Sequence, residues 1–159
     1  NYLATQESGG VNVQIARVLL ADKSAIKFDF TREGRETIFD DRPVVAEIIF
    51  IIENKTDKTI RLYPNQGLLV AGGEQIDLFD FASAQFDFGD DIGGDFLPGA
   101  KVVGGLWIGF KRAKIPDIQQ MLINFRGPSN ESFNKLGPDF KFVIDLSSRQ
   151  DMPLPDELK

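Results

Sequence analysis

Val44-Val45-Ala46-Glu47-Ile48-Ile49-Phe50-Ile51-Ile52-Glu53 is the stretch that decides the fold. Its valines and isoleucines branch at Cβ, which restricts χ1 and suits a pleated strand better than a helix. The run is apolar on both faces, as a strand covered on both sides must be. A buried helix is the rival reading. Pro43 in front and Asn54-Lys55-Thr56-Asp57 behind favour a strand that ends in a turn.

Working outward, Val11, Val13 and Ile15 alternate with Asn12 and Gln14, and the pattern then slips to Val18 and Leu20. That predicts a strand over 11–21 with a bulge near Ala16–Arg17. Ile26, Phe28 and Phe30 share one face of a short strand, and Thr31–Pro43 is a charged loop with a turn at Ile38-Phe39. Ile60–Tyr63 is a short strand stopped by Pro64-Asn65-Gln66-Gly67. Leu68–Val70 and Glu74–Phe79 flank Ala71-Gly72-Gly73, a hairpin signal. Residues 80–99 read as a long loop rich in Asp and Gly.

Lys101–Phe110 is a further strand, whose glycines point to bulges or to a close neighbour. Residues 118–125 begin with a pattern that fits a helical turn or a strand, and Leu122–Arg126 is extended. A polar loop over 127–138 precedes a last strand, in which Phe140, Phe142, Ile144 and Leu146 alternate with polar residues. Residues 1–10 are a polar linker and 147–159 an extended tail. The expected fold is all-β: an antiparallel sandwich of about seven to nine strands over 11–146.

Composition narrows the chemistry. The 159 residues suit one domain. Acidic residues outnumber basic ones 24 to 18, giving a net charge of −6 and a pI near 4.7. Such a surface repels phosphate backbones and argues against nucleic-acid partners. There is no histidine and no cysteine, so a Ser-His-Asp triad, a disulfide and a cysteine-ligated zinc are all excluded for this chain alone. No apolar run is long enough to span a bilayer. The chain opens on Asn1, which leaves a preceding signal segment or anchor open.

Two motifs resemble a known family. Glu53-Asn54-Lys55-Thr56-Asp57-Lys58, just after the long apolar strand, is similar to the "V-x-N-x-T/S-D-K" turn of a bacterial immunoglobulin-like family. That family is a domain of unknown function from secreted proteins and lipoproteins, chiefly of Gram-positive bacteria, and its fold resembles that of a small secreted mycobacterial antigen. Leu97-Pro98-Gly99-Ala100-Lys101 with Gly105-Leu106-Trp107-Ile108-Gly109-Phe110 is similar to the family's "L-x-P-G-x-x-x-x-G-x-L-x-F" segment. Ile115-Pro116 sits where the family often has Val-Pro. The resemblance covers about 11–146 and departs in an acidic insertion over 80–96 and in the lack of an anchor cysteine. It implies an immunoglobulin-like sandwich, a place outside the cytoplasm or in the cell envelope, and a binding or structural role. It carries over no catalytic residue.

The candidate sites lie mostly in the acidic insertion. Asp87, Asp90, Asp91 and Asp95, interleaved with glycines, offer oxygens for calcium; the alternative is a solvated acidic turn. Phe86, Phe88 and Phe96 are the candidate partner-binding aromatics, against a core reading. Phe28/Phe30, Phe140/Phe142 and Trp107 are expected in the core, with a sugar-stacking platform as the rival for Trp107. Lys111-Arg112-Ala113-Lys114 is a basic turn, solvated or docked on anionic polymer. The expected function is non-catalytic, binding a protein or envelope component, with no cofactor unless calcium. A structural subunit self-associating through sheet edges or patches is the alternative.

Overall fold

The structure, a computed structural model, describes residues 3–26, 39, 41–80 and 84–147, the side chains of 85–88 aside. Eleven strands lie within them: β1 (Ala4–Ser8), β2 (Val11–Asp22), β3 (Val44–Asn54), β4 (Ile60–Leu62), β5 (Leu68–Ala71), β6 (Glu74–Asp77), β7 (Ala84–Gly89), β8 (Gly94–Phe96), β9 (Lys101–Phe110), β10 (Gln120–Phe125) and β11 (Phe140–Asp145). Every pairing is antiparallel. One sheet runs β1-β2-β3-β9-β7, a second β11-β10-β5-β6, and β4 pairs with β8.

The decisive stretch is the centre of the larger sheet. β3 pairs with β2 on one side and β9 on the other, from Val44↔Phe110 to Glu53↔Lys101. Strand alternation sends Val44, Ala46, Ile48, Phe50 and Ile52 into the main core. Leu69, Met121, Ile123, Phe140 and Phe142 meet them there from the second sheet. Each of these side chains larger than alanine contributes about 1.5–3 kcal/mol when fully buried. The opposite face of β3 is covered too: Val45 joins Trp107, Leu19, Ala21, Ile26 and Phe39 in a smaller cluster. Trp107 is therefore a core residue. Glu47, on that second face, is buried and paired with the Arg17 guanidinium.

Local details follow the chemistry of the residues. The β2–β3 register shifts between Ile15 and Arg17, the site of the expected bulge. Gly72 and Gly73 have φ of +58° and +76°, the left-handed pair that a tight two-residue hairpin needs. A 3-10 turn at Ile115–Asp117 precedes β10, and of the two readings of 118–125 the extended one holds, since Gln120–Phe125 is strand and Ile118 only closes the turn before it. Phe125 and Phe140 stack with centroids 5.0 Å apart, closing the core between β10 and β11.

Three readings need correction, and the first is the strand count: ten strands, β2–β11, lie within 11–146 where about seven to nine are expected, because the acidic stretch itself contributes β7 and β8. Residues 1–10 are not all linker, because Ala4–Ser8 pairs along β2 from Ala4↔Ile15 to Ser8↔Val11. The amide of Gln6 also bonds both the N–H and the C=O of Lys141 in β11, and Ser8 Oγ donates to Pro138 O at 2.6 Å. These bonds tie β1 to the opposite sheet. Residues 80–99 are not one loop either: β7 is an edge strand on β9 and β8 a partner for β4. The Phe28/Phe30 strand and the tail beyond Ser147 lie outside the described residues.

Candidate functional site

Two sequence motifs meet at one buried side chain. Asn54 ends β3 and has no exposed surface. Its Nδ2 donates to Lys58 O at 2.8 Å, Phe96 O at 3.0 Å and Leu97 O at 3.2 Å. Its Oδ1 accepts from Thr56 N at 3.0 Å and Thr56 Oγ1 at 2.7 Å. The Asn-x-Thr turn and the Leu-Pro-Gly turn are thus held together through one amide. Their residues do structural work.

Phe96 is buried in the main core, so it cannot present a contact surface. Phe86 and Phe88 lie in β7, and their side chains, like that of Asp87, are outside the described residues. Asp90 Oδ2 accepts from Val103 N at 3.0 Å, Asp95 Oδ1 accepts from Arg61 Nε at 2.9 Å, and Asp91 is exposed. Among the described residues no three acidic side chains converge on a point where a metal could sit. The N–H groups of Lys111, Arg112 and Ala113 turn inward onto the Glu74 carboxylate, while Lys111 Nζ pairs with Asp41 at 3.2 Å.

The feature that stands out lies elsewhere. A depression of about 410 Å³ is lined by Arg61, Tyr63, Gln66, Arg126, Ser129 and Phe133. β4 sets one wall. Ile60 and Leu62 point into the core, so Arg61 between them points out. Arg61 exchanges both backbone bonds with Ser129, at 2.8 and 2.9 Å, which leaves it a non-hydrogen-bonded partner of Asp95 on β8. In that geometry facing side chains approach closely, and the Arg61–Asp95 pair forms. Arg126 follows Phe125 out of the core at the end of β10. Tyr63 and Gln66 come from the 3-10 turn after β4.

The loop after Arg126 is heavily bonded for a polar connection. Asp139 Oδ1 accepts from Gly127 N at 2.9 Å and pairs with Lys135 Nζ at 2.6 Å. The Lys135 ammonium first, then the Gly127 N–H, hold the Asp139 carboxyl below its ordinary range. Asn130 Oδ1 accepts from Ser132 N and Asn134 N, and Leu136 N donates to Pro128 O. This frame presents Phe133 with φ of +61° and 55% of its surface exposed. A left-handed conformation costs a non-glycine residue about 1–2 kcal/mol. The Arg61 guanidinium stacks 4.6 Å from the ring centroid and Arg126 Nη2 donates to Phe133 O at 3.2 Å. An exposed stack of this kind returns about 0.5–1 kcal/mol. Phe133→Gly relieves the backbone and loses the stack, so the expected change in urea midpoint corresponds to less than about 1 kcal/mol.

Sequence reading placed this stretch in a polar loop. The available signal was one aromatic, Phe133, in the otherwise polar run Ser129-Asn130-Glu131-Ser132-Phe133-Asn134-Lys135.

No family model matches the chain, and no curated protein does. Three solved structures of similar fold come from bacteria. The ycdA protein of Bacillus subtilis, a candidate lipoprotein, matches with a TM-score of 0.53 and 18% identity over 89% of this chain. This chain spans only 38% of that protein's length. A functionally unknown protein of Listeria monocytogenes matches at 0.58 and 12% identity, over 89% of this chain and 80% of its own. The yjhA protein of Bacillus subtilis matches at 0.50 and 13%, over 89% and 95%. At such identities the likeness is one of fold.

Proposed function

We propose that the chain is a non-catalytic, immunoglobulin-like sandwich module of a bacterial secreted or envelope-tethered protein, and that it binds a protein or envelope component at the Arg61–Arg126–Phe133 depression. One observation carries the reading: an exposed phenylalanine is kept in a costly backbone conformation by a well-bonded loop, between two arginines. Strain that the surroundings maintain is characteristic of functional positions. The candidate-lipoprotein neighbour and the two turn motifs support a place in the envelope. The absence of histidine and cysteine removes a histidine-activated serine and a thiolate nucleophile from this chain's own chemistry.

The test is co-sedimentation of the folded protein with bacterial cell-wall and membrane fractions. Wild type should pellet with one of them, while Phe133→Gly and Arg126→Gln remain folded and stay in the supernatant. Equal pelleting of all three proteins, or none by wild type, contradicts the reading.

Self-association is a second reading, favoured by a different observation. On the outer face of the second sheet Leu122 lies opposite Val143 on one side and Val70 on the other. Val143 is 63% exposed, and Leu68 lies exposed one row away. Such a row suits contact with another copy. Sedimentation velocity over a wide concentration range decides it: a monomer throughout removes this reading.

A further inference from the structure

We infer that the Arg61–Arg126 depression takes an oxyanion, a carboxylate or a phosphate, carried on a group flat or apolar enough to lie against Phe133. The inference rests on the depression being the contact site and names the ligand's chemistry. Arg61 gives its Nε to Asp95, and among the described residues its two Nη atoms have no hydrogen-bond partner. Among the described residues Arg126 makes a single hydrogen bond, from Nη2 to Phe133 O. Most donors of both forks are therefore open to a ligand, and planar guanidinium forks match paired oxygens.

Charge points the same way. The chain carries −6 overall, yet among the described residues the charged groups lining this depression are two arginines; the nearby carboxylates are Asp95, paired with Arg61, and Asp139, which accepts from Gly127 N and is paired with Lys135. Asp95 is half exposed, at 53% of its side chain, so the Arg61–Asp95 pair is screened and leaves the guanidinium attractive to a second anion. Tyr63 and Gln66 add neutral hydrogen-bonding groups to the same wall. Stacking on Phe133 and the bond to its carbonyl hold the two arginines in place before a ligand arrives, which lowers the ordering cost of binding.

The experiment is an amide-resolved NMR titration of the whole chain with phenyl phosphate, benzoate and inorganic phosphate, with benzyl alcohol as the uncharged control. Both aromatic oxyanions should shift amides of 61–66 and 126–133, with dissociation constants near about 1 mM, and Arg126→Gln should weaken them about tenfold. Arg126 is an exposed residue beyond a strand end, so this variant should keep the wild-type spectrum elsewhere. Arg126→Lys, which keeps charge without the fork, should fall between. Tighter binding of phenyl phosphate than of benzoate assigns the natural group as phosphate, and the reverse order as carboxylate. Aromatic oxyanions binding more tightly than inorganic phosphate supports the stacking on Phe133.

No shift at these amides with any oxyanion, equal shifts with benzyl alcohol, or indifference to Arg126→Gln overturns the inference. If those results appear while co-sedimentation still depends on Phe133, the oxyanion is wrong and the binding module stands. If co-sedimentation fails as well, both fall.

Discussion

Glu74→Ala lowers the unfolding free energy by about 3–5 kcal/mol, the range for stripping one member from a buried, hydrogen-bonded charged group. Glu74 opens β6 and is only 4% exposed. Its Oε1 accepts from Arg112 N at 2.8 Å and Ala113 N at 3.1 Å, and its Oε2 accepts from Lys111 N at 2.8 Å. Arg42, buried and bonded to Gly109 O at 2.7 Å, approaches it to 3.8 Å. The carboxylate thus clasps the end of β9, in one sheet, to the hairpin of the other. Alanine leaves three inward N–H groups with no acceptor. Urea unfolding at neutral pH measures the loss.

The same site makes a pH-dependent prediction. Burial raises the Glu74 pKa, but the three backbone N–H groups and Arg112 lower it more, so it lies below its ordinary value of 4.5. The unfolded chain then binds the proton more readily than the folded one. The carboxylate's stabilisation is complete above 4.5 and is lost as pH falls through the folded value. Glu74→Gln cannot titrate. Its deficit against wild type should shrink on acidification below that range, and a deficit constant with pH contradicts the assignment.

Asn54→Asp destabilises more than Asn54→Ala, and Asn54→Ala costs about 2–4 kcal/mol, as expected where a buried amide serves several partners. Aspartate is nearly isosteric but turns an oxygen toward the carbonyls of Lys58, Phe96 and Leu97, where Nδ2 now donates. A negative charge with no exposed surface then faces three acceptors. Alanine only removes the bonds. Urea midpoints rank the two variants, and an aspartate variant as stable as the alanine one contradicts this account of the turn.

Much of the fold was legible because its signals are local. The β-branched run at 44–53 carries its own evidence of a strand buried on both faces, and Gly72-Gly73 encodes a turn through backbone freedom alone. What was missed depends on distant partners. β1 is polar, and its place is secured by Gln6 and Ser8 bonding the backbone of 138–141, residues more than a hundred positions away. In 84–89 the density of Asp and Gly outweighed the alternation in Gln85-Phe86-Asp87-Phe88, which is a strand pattern. The depression was illegible for a related reason. Arg61 and Arg126 are ordinary outward residues until the Arg61–Ser129 backbone pair brings the 127–138 loop beside β4.

The proposed contact surface is the Arg61–Arg126–Phe133 depression. Hydrogen–deuterium exchange of the chain, free and bound to the envelope fraction that sediments it, tests this most directly. Added protection should concentrate in 61–66 and 126–136, with the outer face of the second sheet unchanged. Protection confined to 68–77, 120–124 and 141–145, or absent from the depression altogether, contradicts it.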